Sequence, residues 1–473
     1  PAIFLGTVFM RRAYPALLLL LLCGCFKDAP QLNTFKDYSL TFDRKQKISL
    51  KQQKTLTLAE ARNIVLVNNP TLRAAVSAIR QAQYSYYRSL SVWSPEITVY
   101  GETANTLSRG YDLHNPPAGI FPEENRFSTI GTIRATWLLF DGLARELNTM
   151  VSKLEYEQSS AVAADVKRLL LRAMVYVWCD IFLAEEEIII AQADMDFQNA
   201  ALTQAEQQFK SGHISYSTVL NFKILSAKAQ SKIAISQYNK QTAINALAAL
   251  LGCSSSEFPS DIKLLPLSNT GKTDFEQPLA YYLEQAILNR PDLRAEKLQF
   301  EKAIRQKQAV YAEFMPKIHL FTEFSFGNGI SSYDHYKVNG SHYNHPAFAY
   351  GASASWNIFR GLASWNELRR KEALEKIALW GLNKKYLDVT IEVSDALDNC
   401  RNTIIQIAIF KKMAEWVLEQ RNIIYSEYIN GRETIARVNQ AQSALVEAQS
   451  SLALWQILLH KAQAQLKAAL GTD

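Results

Sequence analysis

Two hydrophobic rhythms run along this chain, and each occurs twice. Phe127, Thr129, Gly131, Ile133, Ala135, Trp137 and Leu139 alternate with Ser128, Thr132, Arg134 and Thr136, one face mainly apolar and the other mainly polar. Phe348, Tyr350, Ala352, Ala354, Trp356 and Ile358 alternate in the same way with Ala349, Gly351, Ser353, Ser355 and Asn357. Ahead of each lies a partner stretch. Pro95 to Thr103 sets Ile97 and Val99 against Thr98 and Tyr100, and Lys317 to Gly327 sets Ile318, Leu320, Phe324 and Phe326 against His319, Glu323 and Ser325. Long loops rich in Gly, Pro, Asn, Tyr and His separate the partners, so the pattern predicts two β-hairpins, over 95–140 and 317–359. Each strand is about ten residues long, the length a tilted membrane strand needs.

Where the alternation stops, the period lengthens. From Ala144 to Phe209 there is neither proline nor glycine, and Ala, Leu, Glu, Gln and Lys abound with apolar residues at three- and four-residue steps. This predicts one helix of about 65 residues, roughly 100 Å long. Gly212 suits a tight turn, after which Thr218 to Leu251 returns antiparallel. The second half repeats the scheme from Gly361 to Ile429, with a turn at Gly431 and a return from Thr434 to Leu470. Helices this long without caps predict coiled-coil hairpins, over 142–251 and 361–470.

The duplication is legible in the letters themselves. "WLLFDGLAR" at Trp137 returns as "WNIFRGLAS" at Trp356, "FKSG" at Phe209 as "YING" at Tyr428, and "LAALLG" at Leu247 as "LKAALG" at Leu466, all at one offset. "NNPTL" at Asn68 returns as "NRPDL" at Asn289, at nearly the same offset. Two repeats are therefore expected, 55–252 and 279–473, joined by a polar linker, 253–278. Gly142 and Gly361 permit the bend from strand to helix, and Trp137 and Trp356 fit an aromatic belt at a membrane interface.

The N-terminus reads as an export signal. From Met10, "MRRAYPALLLLLLCGC" carries two arginines, a short apolar run and small residues, so 1–24 is expected to be a signal peptide and 1–9 to be untranslated. "LCGC" resembles the lipobox of bacterial lipoproteins, which implies that Cys25 becomes the lipidated first residue of the mature chain, ahead of a linker, 25–54. Phe26 after the cysteine, where an aspartate would favour the inner membrane, implies the outer one.

Composition excludes more than it assigns. The chain is 48% hydrophobic and 20% charged with net charge +6, and has no basic block with interleaved aromatics, so it has no nucleic-acid signature. Cys179, Cys253 and Cys400 read as buried apolar thiols. His114, His335, His342 and His345 fall in the long loops without the i, i+4 spacing of a zinc site. Nucleophile elbows and phosphate loops are absent, so neither an enzyme nor a cofactor is expected.

Counting strands bounds the assembly. Four strands cannot cross lipid as an open sheet, because its edges would leave backbone groups unpaired at several kcal/mol each. Two copies would close eight strands and three copies twelve. A soluble coiled-coil scaffold is the competing reading, but it needs neither an export signal nor membrane-length strands.

The paired "NNPTL" and "NRPDL" motifs, Trp-to-Gly elbows, glycine turns and "LLG" and "ALG" endings resemble the TolC-like family of outer-membrane efflux ducts, from Leu56 to Gly471. The resemblance implies a homotrimer: a twelve-stranded barrel in the outer-membrane lipid, continuous with a helical tunnel across the periplasm. It implies a passive duct docked to a periplasmic adaptor and an inner-membrane pump of resistance-nodulation-division or ABC type, exporting drugs, metal ions or proteins. The hairpin tips then become the adaptor contact, at Gly212, His213, Ser215, Tyr216, Gly431, Arg432, Glu433 and Thr434. Relatives carry two aspartates at the tunnel constriction. Here Arg437 and Gln440 stand there, with Thr218 and Asn221 in the first repeat, so the cation-selective ring does not carry over. Arg437 either lines the constriction or faces outward and pairs with Glu433, one helical turn earlier.

Overall fold

The computed structural model describes residues 55–109, 123–254, 258–259, 262–267, 275–333, 341–344 and 346–472. The expected signal peptide, Cys25, and His114, His335 and His345 lie outside them.

Each half begins with two short helices broken at a proline. The first half opens with β1 (Thr55–Leu56), α1 (Leu58–Asn68) and α2 (Pro70–Ser91), and the second has α5 (Leu279–Asn289) and α6 (Pro291–Val310). Thr57 and Glu60 form a reciprocal capping box that starts α1. Pro70 and Pro291 each open a helix, where a missing N–H costs nothing, and force the preceding residue out of the helical region. Asn69 and Arg290 therefore sit extended at the breaks, at ψ 123° and 118°.

The long helices follow. They are α3 (Ala144–Lys210) with α4 (Tyr216–Leu250), and α7 (Ala363–Ile429) with α8 (Ile435–Leu470). Both first members have 67 residues, so the duplication holds to the residue. The return helices end on the proline breaks. Asn69 Nδ2 donates to the Leu250 carbonyl at 2.9 Å, and Arg290 Nη1 to the equivalent Ala469 carbonyl at 3.2 Å. Gly252 and Gly471, at φ +70° and +75°, press against the backbone of Asn68 and Asn289. The repeated "N-x-P" and "L-G" motifs are thus the two sides of one joint, built once in each half.

Apolar cores sit beside these joints. Leu56, Val65, Trp178, Ile181, Leu247 and Leu251 close the first, and Ala286, Val393, Leu397, Cys400 and Leu466 the second. The 253–278 segment does more than connect. Lys263–Leu264 forms strand β4 parallel to β1, and Phe258, Ile262, Leu264 and Leu267 pack on the first core. Cys179 and Cys400 are buried thiols as expected, and burial pushes them up to about 12 and about 11, whereas Cys253 is only half-buried, past the end of α4, with its thiol on the Ala248 carbonyl at 3.3 Å.

Between the short and long helices lies a sheet of β2 (Glu96–Arg109), β3 (Glu123–Phe140), β5 (Lys317–Tyr333), β6 (Ser341–Asn344) and β7 (Ala347–Ser355). β3 joins the hairpins by pairing antiparallel with both β2 and β5, while β6 and β7 lie end to end along β5 in one register. Glu96 pairs with Thr136 and Lys317 with Ser355, equivalent positions of the two hairpins. The register puts Ile97, Val99, Ile133, Trp137, Leu320, Phe324, Phe348 and Tyr350 on one face, and Thr98, Thr132, Arg134, Glu323 and Ser353 on the other. Arg134 and Glu323 face each other across strands at 3.6 Å.

Two expectations about the strands need correction. β2, β3 and β5 run to 14, 18 and 17 residues, beyond the expected ten, because ladder pairing continues outward through positions such as Asn105, Thr106 and Arg126 that are polar on both faces. β7 stops at Ser355, so Trp356 and Ile358 lie outside it. β5, the partner of β7, begins at Lys317 just after Pro316, so the ladder ends there, and the indole N–H of Trp356 donates to the Phe314 carbonyl at 3.1 Å.

Candidate functional site

The strand-to-helix elbows are built alike. Trp137 Nε1 donates to the Trp93 carbonyl at 3.0 Å, just as Trp356 does to Phe314. Each indole ties the end of one strand to the segment that leads into its hairpin. Next, Gly142 and Leu143 take φ +71° and +69°, and Gly361 and Leu362 take +60° and +64°. The glycines were legible as hinges. The leucines were not, since an L side chain in this region costs about 1–2 kcal/mol; the recurrence of the Gly-Leu pair was the available signal. In the first elbow Arg145 spans the bend, with Nη2 on the Leu139 carbonyl at 2.9 Å and its guanidinium 4.6 Å from the Trp93 ring. Asp141 accepts from the Arg145 backbone N–H at 3.1 Å, satisfying one of the free N–H groups in the first turn of α3, whose N-cap Leu143 offers no side-chain acceptor. In the second, Arg360 and Ser364 occupy the equivalent places and both donate to Glu313, at 3.3 and 2.7 Å.

The hairpin tips are also duplicates. The Gly212 N–H donates to the Phe209 carbonyl and the His213 N–H to that of Gln208; Gly431 and Arg432 do the same with Tyr428 and Glu427, all at 2.9 Å. This double closure needs a left-handed residue, and Gly212 and Gly431 supply it at φ +75° and +71° with open space where a Cβ would point. Among the expected tip contacts, His213, Ser215, Tyr216, Arg432 and Thr434 are exposed and Glu433 is half-buried. The Ser215 and Thr218 hydroxyls lie 3.3 Å apart.

Of the four expected constriction residues, Asn221, Arg437 and Gln440 are exposed and Thr218 is half-buried. Arg437 lies 3.9 Å from Glu433, and its side chain stays 55% exposed. Behind the tips the halves meet. Ile435 packs both on the cluster of Ala205, Val219 and Phe222 and on that of Val438 and Ala441. Further polar links cross between the halves: Gln442 Nε2 donates to Asp194 at 2.8 Å, Tyr425 Oη donates to Gln204 Oε1 at 3.2 Å, and the Phe197 and Tyr425 rings meet edge-on at 5.1 Å. Sequence reasoning missed these links, because partners in different halves of the chain leave no local pattern.

Among the described residues no helix is long and apolar enough to cross a membrane, which says nothing about a barrel. The apolar strand faces thus lie at one end of the long helices and the glycine-turned tips at the other.

Comparison with known proteins agrees. No curated protein matches the sequence. Solved outer-membrane channels share the fold. VceC of Vibrio cholerae superposes with a TM-score of 0.73 at 19% identity over 88% of this chain and 96% of that one. The Campylobacter jejuni CmeC channel gives 0.73 at 13% identity, over 94% and 93%. The open state of the Neisseria gonorrhoeae MtrE channel gives 0.64 at 17% identity, over 88% and 89%. The outer membrane efflux protein family (OEP) matches residues 61–253 and 282–472, one span in each half. With both halves matched across most of its length, the chain belongs to the outer membrane efflux protein family.

Proposed function

We propose that the chain is one protomer of a homotrimeric export duct, four strands from each copy closing a twelve-stranded barrel in the outer membrane. The observation that carries this is the sheet: one continuous apolar face, two outer strands, β2 and β7, with no partner for their outer edges among the described residues, and elbows leading into 67-residue helices. An edge in lipid is costly, whereas a closed ring has none. Copies arranged in a ring would continue the helices as a periplasmic tunnel, anchored in addition by a lipid on Cys25. The tips at Gly212 and Gly431 meet a periplasmic adaptor, and an inner-membrane pump, of resistance-nodulation-division or ABC type, supplies the energy. The duct is passive, so selection among drugs, metal ions and proteins rests with pump and adaptor. Purified protein in planar bilayers is expected to give discrete conductance steps; folded trimer that inserts without conducting would refute the duct.

Arg437 is assigned to the constriction, on its exposure and its place in the first turn of α8, next to the tip. Three such guanidiniums in a narrow ring favour anions, since like charges act strongly where the channel confines them. The Arg437→Glu variant is expected to shift the permeability ratio toward cations by roughly an order of magnitude. An unchanged ratio would place Arg437 on the outside, engaged only with Glu433.

A further inference from the structure

The internal repeat specifies how a second copy fits. Within the chain, the second strand of the first half (β3) pairs with the first strand of the second half (β5): Ala135 with Thr322, Arg134 with Glu323 and Trp137 with Leu320. Through the offsets of the repeated motifs, the equivalent of β3 is β7 and the equivalent of β5 is β2. Both keep an outer edge unpaired among the described residues. Carrying the β3–β5 register through the repeat sets Ala354 opposite Gly101 and Ser353 opposite Glu102. It also keeps apolar positions beside apolar ones, so no side chain changes face.

The helices give an independent indication. On α7, Trp380, Leu387, Ile391 and Trp416 are 58% to 69% exposed. Their equivalents on α3 are Ala161, Arg168, Arg172 and Phe197, and all four are engaged with the other half of the chain. Ala161 packs with Ala295 and Leu298, Arg168 and Arg172 donate to the Ala468 carbonyl and Gln465, and Phe197 meets the Tyr425 ring. The bare face of α7 is therefore the face that α3 has covered. Sizes trade across the repeat: large Trp380 replaces Ala161, while small, exposed Ser77 stands where Leu298 packs. A tryptophan fits over Ala74 and Ser77 where an alanine needed a leucine.

Resting on the closed-ring reading above, we propose that a second copy of this chain docks its β2 along β7, with Ser353 opposite Glu102 of the partner subunit, and receives Trp380 on Ala74 and Ser77 of the partner subunit. The two seams of the tunnel wall then differ in chemistry. The seam within a chain adds polar contacts, Arg172–Gln465, Lys461–Asp180 and Gln442–Asp194, to its apolar packing, whereas the seam between copies is lined on α7 by exposed apolar side chains.

Paired strands hold Cα atoms about 4.5–5.5 Å apart, within disulfide range. In membranes, with Cys253→Ser as background, the pair Glu102→Cys and Ser353→Cys is expected to move most of the protein into a covalent ladder ending at three copies on non-reducing gels. Tyr100→Cys with Ser353→Cys, out of register along the same strand, is expected to stay monomeric. Equal or better cross-linking of the slipped pair would overturn the register. If neither pair links while an amine cross-linker captures a closed trimer, the proposal fails and the ring stands. If the amine reagent captures no oligomer, the ring fails with it. Trp380→Ala is expected to abolish the SDS-resistant trimer while leaving the helical circular dichroism unchanged; a trimer as resistant as wild type would remove the helix seam.

Discussion

Asp292→Ala is expected to be the most damaging single change outside the apolar cores, lowering stability by about 3–5 kcal/mol, the usual result of removing one partner from a buried ion cluster. Asp292 is buried at the start of α6 and faces three cations: Arg290 through two hydrogen bonds at 2.9 and 2.6 Å, Lys385 at 2.7 Å and Arg168 at 3.7 Å. Arg290 itself is 1% exposed, and its remaining partners are the Ala469 carbonyl and the half-open Glu392. Without Asp292 the cluster keeps its cations and loses its only buried carboxylate. Burial pushes the Asp292 carboxyl up, but hydrogen bonds and charge from Arg290 and Lys385 outweigh it and hold the group well below the ordinary carboxylate range. A folded pKa below the unfolded one adds stability that is complete above about pH 5 and is lost as pH falls below about 4. Chemical unfolding followed by circular dichroism should therefore show wild type losing stability from about pH 5 to about pH 3, with a shallower loss in Asp292→Ala. The equivalent joint in the first half has Asn69 and Thr71 in place of Arg290 and Asp292, and Asn69→Ala should cost only about 1–3 kcal/mol, the loss of one hydrogen bond to the Leu250 carbonyl and of the side-chain cap on the Thr71 and Leu72 N–H groups. Equal losses at the two joints would refute the assignment of the extra stability to the ion cluster.

The sequence showed that joint as a repeated motif without showing what it was for. "NNPTL" and "NRPDL" are legible because proline breaks a helix wherever it falls, and the structure places both prolines at the first position of a helix. The ion cluster was not legible, because Arg290 reaches Glu392 and Arg168 reaches Asp292 from distant parts of the chain, and no periodicity links such positions. The long helices were read nearly to the residue, for want of any proline or glycine from Ala144 to Phe209. Strand ends fared worse. Alternation runs on through Trp356 and Ile358 in the sequence, but β7 stops where its partner β5 begins, at Lys317 after Pro316. At the tips, the Glu433–Arg437 pairing followed from i, i+4 spacing and is found at 3.9 Å, while the Gln442–Asp194 contact, which needs the fold first, was invisible. Local signals were thus readable in proportion to how local their causes are.

Gly471→Ala is expected to cost about 2–5 kcal/mol, and Gly212→Ala only about 1–2, although both glycines have φ +75°. The shared cost is that of holding an L residue in the left-handed region. What differs is the space. A Cβ on Gly471 would sit 2.7 Å from the Asn289 carbonyl carbon, 2.8 Å from its oxygen and 2.8 Å from the Arg290 nitrogen, while one on Gly212 would meet nothing within 4 Å. The obstructing atoms are backbone in the extended break before Pro291, where the proline ring restricts the residue ahead of it and leaves little room to yield. Relief would come from moving the end of α8 away, which stretches the Arg290 hydrogen bond to the Ala469 carbonyl and disturbs the ion cluster beside it. Gly252→Ala should behave like Gly471→Ala, since its Cβ would lie 2.6 Å from the Asn68 carbonyl oxygen, and Gly431→Ala like Gly212→Ala. Denaturant midpoints of the four variants should therefore fall into two pairs, split by position within the repeat and not by half of the chain. A split by half, or four equal losses, would mean that close approach at the joint is not what these glycines provide.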